Sequence, residues 1–153
     1  MLSINQIKYL KSLNQKKFRQ KENKIVLDGF RIIEEAINQN IYIEYIWIQK
    51  DFENDQVKKS FFKTLKKNNI KYSFESEKDI QRISQTKNSQ GILALLPLDG
   101  LFNSNLDRFK NNIVILDNIS DPGNLGTIIR TCSWFGIDSI ILTKNSLDVF
   151  NYK

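Results

Sequence analysis

The sequence predicts an α/β protein in two parts, and three observations carry that prediction. Between Ile25 and Leu96, short apolar runs of strand length alternate with amphipathic stretches of helix length. From Ile113 to Leu142 a strand, a tight polar loop, a helix and another strand follow one another. Between these regions Pro97 to Asn112 turns polar and irregular, with Gly100 and Asn103-Ser104-Asn105 in its middle. The expected division is a first domain over residues 1–96, a linker over 97–110 with one helical turn around Leu106 to Phe109, and the start of a second domain over 111–153.

The elements of the first domain follow from pattern. Ser3 and Gln6 have capping-box spacing, and Ile7, Leu10 and Leu13 give one apolar edge to a short helix that Asn14 interrupts. Gln15 to Asn23 continues as a very polar helical segment. Ile25-Val26-Leu27 is a buried strand, and Gly29 opens a helix with Phe30, Ile33, Ala36 and Ile37 inward. Tyr42 to Ile48 is a second strand with Gln49 to Asn54 as its exit loop; Asp55 to Lys67 is a helix carrying Val57, Phe61, Phe62 and Leu65. Trp47, Phe61 and Phe62 fall on apolar sides and belong to the core rather than to base-stacking platforms. Ile70 to Phe74 is the third strand, Ser76 caps a helix with Asp79 three residues on, Ser84 to Gln90 is a loop, and Ile92 to Leu96 is the fourth strand.

The second part is organised around residues 117–136, DNISDPGNLGTIIRTCSWFG. The strand Ile113-Val114-Ile115-Leu116 ends at Asp117. In the loop, Pro122 fixes its own φ, Gly123 is free to take a positive φ, Asn124 is the expected cap, and Gly126 leaves backbone uncovered. Several N–H groups could then face a phosphate or ribose together. Leu125, Ile128, Ile129, Cys132 and Phe135 have the spacing of a buried stripe, and Thr127, Arg130, Thr131 and Trp134 recur on the other side. Gly136 sits at a helix C′ position, and Ser139 to Leu142 completes a right-handed βαβ unit. Exposed apolar edges at Val114 and Ile140 should make residues 111–153 prone to association.

Composition excludes several chemistries. With no histidine and one cysteine, histidine triads, zinc clusters and an intramolecular disulfide are ruled out, and Cys132, on the apolar stripe, reads as a packed thiol. No run reaches the apolar length of a membrane span and no signal-peptide block opens the chain, so a cytoplasmic protein without membrane contact is the expectation. The net charge is +6, and residues 1–24 hold seven basic side chains against Glu22 alone. The positive charge thus reads as an N-terminal feature, with Lys8, Lys11, Lys16, Lys17, Arg19 and Lys21 as candidate contacts to an RNA backbone.

The string N-x-G-x-x-x-R-T at Asn124, Gly126, Arg130 and Thr131, after Asp121-Pro122 and before Phe135-Gly136, resembles the first motif of the SpoU (TrmH-like) RNA 2′-O-ribose methyltransferases of the SPOUT superfamily. Asp28-Gly29 followed by Arg31 and Glu34-Glu35-Ala36 is similar to the family's N-terminal signature, with Asp28 where Glu is usual. Gln90-Gly91 matches its lead into the last strand, with Ser89 where Pro is common. The resemblance implies a small ribosomal-protein-like RNA-binding domain followed by the first βαβ unit of a trefoil-knot methyltransferase domain. It also implies methyl transfer from S-adenosylmethionine to a ribose 2′-hydroxyl of structured rRNA or tRNA, and a homodimer for the complete enzyme. Arg130 and Asn124 take the catalytic positions, and Lys87 and Asn88 are further RNA-contact candidates. A guanidinium stays protonated, so Arg130 suits hydrogen bonding and charge stabilisation better than proton abstraction.

The family's later motifs, a Gly-Glu-Gly loop and a Ser/Asn segment that build the cofactor knot, have no counterpart in these residues. The expectation is a chain truncated before the knot, with its cofactor-binding residues in the missing part and no turnover by the 153 residues alone. The alternative is a non-catalytic RNA-binding module.

Overall fold

The computed structural model describes residues 2–54, 56–86, 89–99, 101, 112–137 and 139–150. The chain forms two compact units, Met1–Leu101 and Phe102–Lys153. The expected helical turn around Leu106 to Phe109, and Lys87 and Asn88, lie outside the described residues.

In the first unit the capping box is formed: Gln6 N–H donates to Ser3 Oγ and Ser3 N–H to Gln6 Oε1, opening α1 (Ile4–Ser12). After the turn at Asn14 the chain continues as α2 (Lys16–Glu22), β1 (Lys24–Asp28) and α3 (Phe30–Asn38). The second strand, β2 (Tyr45–Gln49), starts later than its β-rich composition predicts. Asn40 takes a left-handed φ of 55°, and the approach to the ladder begins only where Glu44 N–H donates to Leu95 O, leaving Tyr42 exposed. A 3₁₀ turn (Lys50–Asn54), α4 (Gln56–Lys67), β3 (Tyr72–Glu75), α5 (Glu77–Ile83) and β4 (Ile92–Pro97) complete the unit. Ser76 caps α5 by accepting from Asp79 N–H.

The sheet order is β1-β4-β2-β3, antiparallel except for the β2/β3 pair that α4 connects. Alternation along the strands sorts the core into two layers. Val26, Leu93, Leu95 and Trp47 pack with Ile7, Leu10 and Leu13 of α1 and Ile80 and Ile83 of α5. The opposite face carries Ile25, Ala94, Leu96, Ile46 and Ile48 in register, and the aromatic contacts Phe30–Phe61 and Phe62–Phe74 bring α3 and α4 onto it. Every side chain on the central strand β4 from Ile92 to Leu96 is buried.

The second unit has two parallel strands, β5 (Ile113–Leu116) and β6 (Ser139–Leu142), joined by α6 (Pro122–Trp134). Leu125 and Cys132, two turns apart, are buried, but Ile129 and Phe135 of the expected stripe are exposed. Two strands about 5 Å apart are narrower than a helix with its side chains, so only the line facing the sheet is covered. The exposed strand side chains are Ile113 and Ile115, not the expected Val114 and Ile140, which are half-buried. Gly136, at φ 66°, ends α6 as expected, with Ile137 N–H turned back to Cys132 O at 2.8 Å.

Candidate active site and nucleic-acid interface

The helix of the motif starts earlier than the sequence reading places it. Asp121, not Asn124, is the N-cap: its carboxylate accepts the Asn124 N–H at 2.7 Å, and Pro122 stands at the first helical position. Gly123 is helical rather than at positive φ; the reversal after β5 is made by Asn118, at φ 54°. The expected cradle of free N–H groups is therefore partly filled by the protein's own carboxylate, which disfavours a phosphate there.

Arg130 is exposed on the outer face of α6, away from the buried Leu125 and Cys132. Its anchorage is local: Nη2 donates to Thr127 Oγ1 at 3.3 Å, and Thr127 Oγ1 donates to Gly123 O at 2.9 Å. A Cβ built on Gly126 would lie 3.5 Å from Nη1, so the guanidinium runs back over bare backbone. Arg130, Thr127, Thr131, Trp134 and Phe135 line an open concavity of about 430 Å³. Asn124 is also exposed, but six residues of helix put it about 120° round the axis from Arg130, so α6 alone does not join the two side chains.

A polar network that no motif reading singled out ties the loop after β5 to the loop after β6. Thr143 Oγ1 donates to Asp117 Oδ1 at 2.7 Å and accepts the Asn118 N–H, while Ser146 Oγ accepts the Ile119 N–H, 3.2 Å from Thr143 Oγ1. Both loops leave the carboxyl ends of parallel strands, where open α/β sheets hold ligands. That position was the available signal for Thr143 and Ser146.

Of the N-terminal basic candidates, Lys8, Lys11, Lys16, Lys17 and Lys21 are exposed. Arg19 is not: it is 5% exposed and donates from Nη1 to Leu13 O at 2.9 Å and Asn14 O at 2.7 Å. It satisfies carbonyls orphaned at the end of α1 and is withdrawn as an RNA contact. Lys24 is engaged by Glu44, whose hydrogen bond holds its ammonium above the usual lysine range. The loop before β4 is laced to the sheet end through Asp28, whose carboxylate accepts from Ser84 Oγ and Gln85 N–H, and through Gln90, whose Oε1 accepts the Phe30 N–H at the start of α3.

Among known proteins, residues 5–94 match the family described as the MRM3-like substrate binding domain, and residues 111–153 match the SpoU rRNA Methylase family. The chain belongs to the SpoU methylase family. This SpoU chain is 28% identical over 149 residues to the 23S rRNA (guanosine(2553)-2′-O)-methyltransferase RlmP of Bacillus subtilis, covering 96% of this chain and 54% of that protein. It is 30% identical over 146 residues to the mitochondrial rRNA methyltransferase 3 of Xenopus laevis, covering 90% of this chain and 33% of that protein. The crystal structure of an AdoMet-bound rRNA methyltransferase from Sinorhizobium meliloti superposes with a TM-score of 0.76 at 26% identity, over 99% of this chain and 57% of that one. The SpoU chain thus spans about half the length of the bacterial relatives it matches, and a third of the mitochondrial one.

Proposed function

We propose that this SpoU chain serves the transfer of a methyl group from S-adenosylmethionine to a ribose 2′-hydroxyl of structured rRNA or tRNA. In this reading residues 1–96 hold the RNA, 97–110 link, and 111–153 begin the methyltransferase domain. The observation that carries it is Arg130, which lies exposed over the uncovered backbone of Gly126 on the motif helix and, among the described residues, is held by Thr127.

The methyl donor would supply an electrophilic carbon on a sulfonium. Among the described residues, the concavity beside Arg130 has a guanidinium, two threonines and two aromatic side chains, and its size and polarity fit a sugar-phosphate edge. Nothing there encloses an adenosine, so these residues fit the acceptor side of the reaction only. On that side the guanidinium donates hydrogen bonds to the 2′-oxygen or its neighbouring phosphate and stabilises negative charge as the oxygen attacks. Thr127 fixes the direction of the fork. Asn124, at the other end of the helix, is assigned to positioning of the loop.

Lys8, Lys11, Lys16, Lys17 and Lys21 would take phosphates along α1 and α2, and Lys87 and Asn88 would add contacts. Homodimer formation belongs to the same reading, supported by the apolar surface of Ile115, Trp134 and Phe135, which are 67%, 88% and 79% exposed. A cytoplasmic location is supported by the bacterial relative, with the mitochondrial relatives marking the other compartment. None of the described helices is long and apolar enough to cross a membrane.

Arg130→Ala, in the length its gene encodes, should lower methyl transfer by about 100-fold or more, the scale of losing one charge-stabilising donor, with RNA affinity within a few fold. Transfer at the parental rate would remove the role given to Arg130. The second reading, a non-catalytic RNA-binding module, rests on the exposed lysines of α1 and α2, which lie in the first unit and not on the motif helix. RNA binding by the parental protein without any methyl transfer would decide for it.

A further inference from the structure

The outer face of α4 carries positive charge that the function above does not use. From Gln56 to Lys71 the chain has six lysines and no acidic residue. Lys59, Lys63, Lys66 and Lys67 fall at three- and four-residue spacing on the side opposite the buried Phe61 and Leu65, and all four are exposed. None of the four makes an ion pair among the described residues, and Glu34, across a small cleft beside Ser60 and Thr64, reaches none of them. Like charges one turn apart oppose helix formation, so an ordinary solvated face would alternate in sign. Lys66 and Lys67 gain something from the helix C-terminus; Lys59 and Lys63 do not.

At the C-terminal end of α4 a cleft of about 340 Å³ is lined by Asn40, Tyr42, Asn68, Asn69 and Lys71 among others, with Tyr42 69% exposed. Amide groups and an aromatic ring beside lysines suit an unpaired base. α4 packs on the opposite side of the sheet from α1, so this surface and the N-terminal lysines address different stretches of a ligand.

We propose that the lysine face of α4, with the Tyr42 cleft at its end, is a second RNA-contact surface, taking phosphates on the lysines and an unpaired base against Tyr42. The inference rests on the RNA-binding reading above and extends it: the first unit bridges two segments of a folded RNA.

The test is titration of the 153-residue chain with a short RNA hairpin bearing a single-stranded loop, too small to reach both surfaces, at near-physiological salt. The parental chain should bind two equivalents. The quadruple variant K59Q/K63Q/K66Q/K67Q should bind one, and a long structured RNA should show its salt slope flattened by about 3, from four lost phosphate contacts. The matching Lys→Arg quadruple variant should keep both sites, and Tyr42→Ala should weaken looped RNA but not a fully paired duplex. Removal of like charges should leave the melting temperature of the Gln variant unchanged or higher.

One equivalent for the parental chain, or an unchanged slope in the Gln variant, overturns the second surface. So does loss of binding to anionic lipid vesicles with RNA binding intact. If glutamine at Lys8, Lys11, Lys16, Lys17 and Lys21 alone removes all RNA binding, this inference falls and the proposed function stands. If the parental chain binds no RNA, the RNA-binding reading itself falls.

Discussion

In the first unit a sheet four strands wide is covered by helices on both faces, and among the described residues the large side chains that are completely buried, Leu10, Ile33, Ile48, Leu65 and Leu93 among them, all belong to it. Among the described residues of the second, two parallel strands support one helix, and the buried apolar side chains are Leu116, Leu125 and Cys132. Parallel strands ordinarily need cover on both faces. The motif to which the proposed function assigns the chemistry therefore lies in the unit with the smaller described core, while the unit with the deeper core carries the positive charge. On that proposal, stability and reactivity are divided between scaffold and site.

Truncation in the two cores should separate them most widely. Leu93→Ala should cost about 3–4 kcal/mol, whereas Leu125→Ala, with cover on one side, should cost about 2 kcal/mol. Each unit has one tryptophan, Trp47 and Trp134, so denaturant unfolding followed by fluorescence in single-tryptophan variants reads the units one at a time. Equal losses would erase the contrast.

Arg19→Gln comes next, at about 2–3 kcal/mol for two hydrogen bonds from a charged donor to buried carbonyls. Its RNA affinity at a temperature where the variant is folded should match the parent, and Lys17→Gln should do the reverse. A salt slope lowered by the Arg19 variant would return that residue to the interface.

The smallest effect belongs to Gly126→Ala. The added Cβ meets Arg130 Nη1 only at ordinary contact distance, so the helix should gain about 0.5–1 kcal/mol while methyl transfer falls. A gain in both would show that the bare backbone is not where the substrate approaches.

The strands were legible because runs such as Ile92 to Leu96 are apolar, short and bounded by turn residues, and the motif helix because Pro and Gly mark its two ends. Two of the readings that failed, and one feature that was passed over, have identifiable reasons. Asn124 was given the cap although proline favours the first helical position, which makes the residue before Pro122 the cap. Arg19 sits among other cations, and its burial was visible only in what α1 lacks, donors for its last carbonyls. The lysines of α4 vanished into a whole-remainder charge sum, where acids on other elements cancelled them.

Asp121 has an electrostatic consequence of its own. It places a carboxylate at the entrance to α6, while the Arg130 guanidinium runs back over Gly126, roughly 7 Å further along the same rod. A polyanion laid along that rod is repelled at one end and drawn at the other. On the proposed function, that gradient would give a bound nucleic acid a preferred heading, with its neutral sugar edge towards the acid and its phosphates towards the arginine.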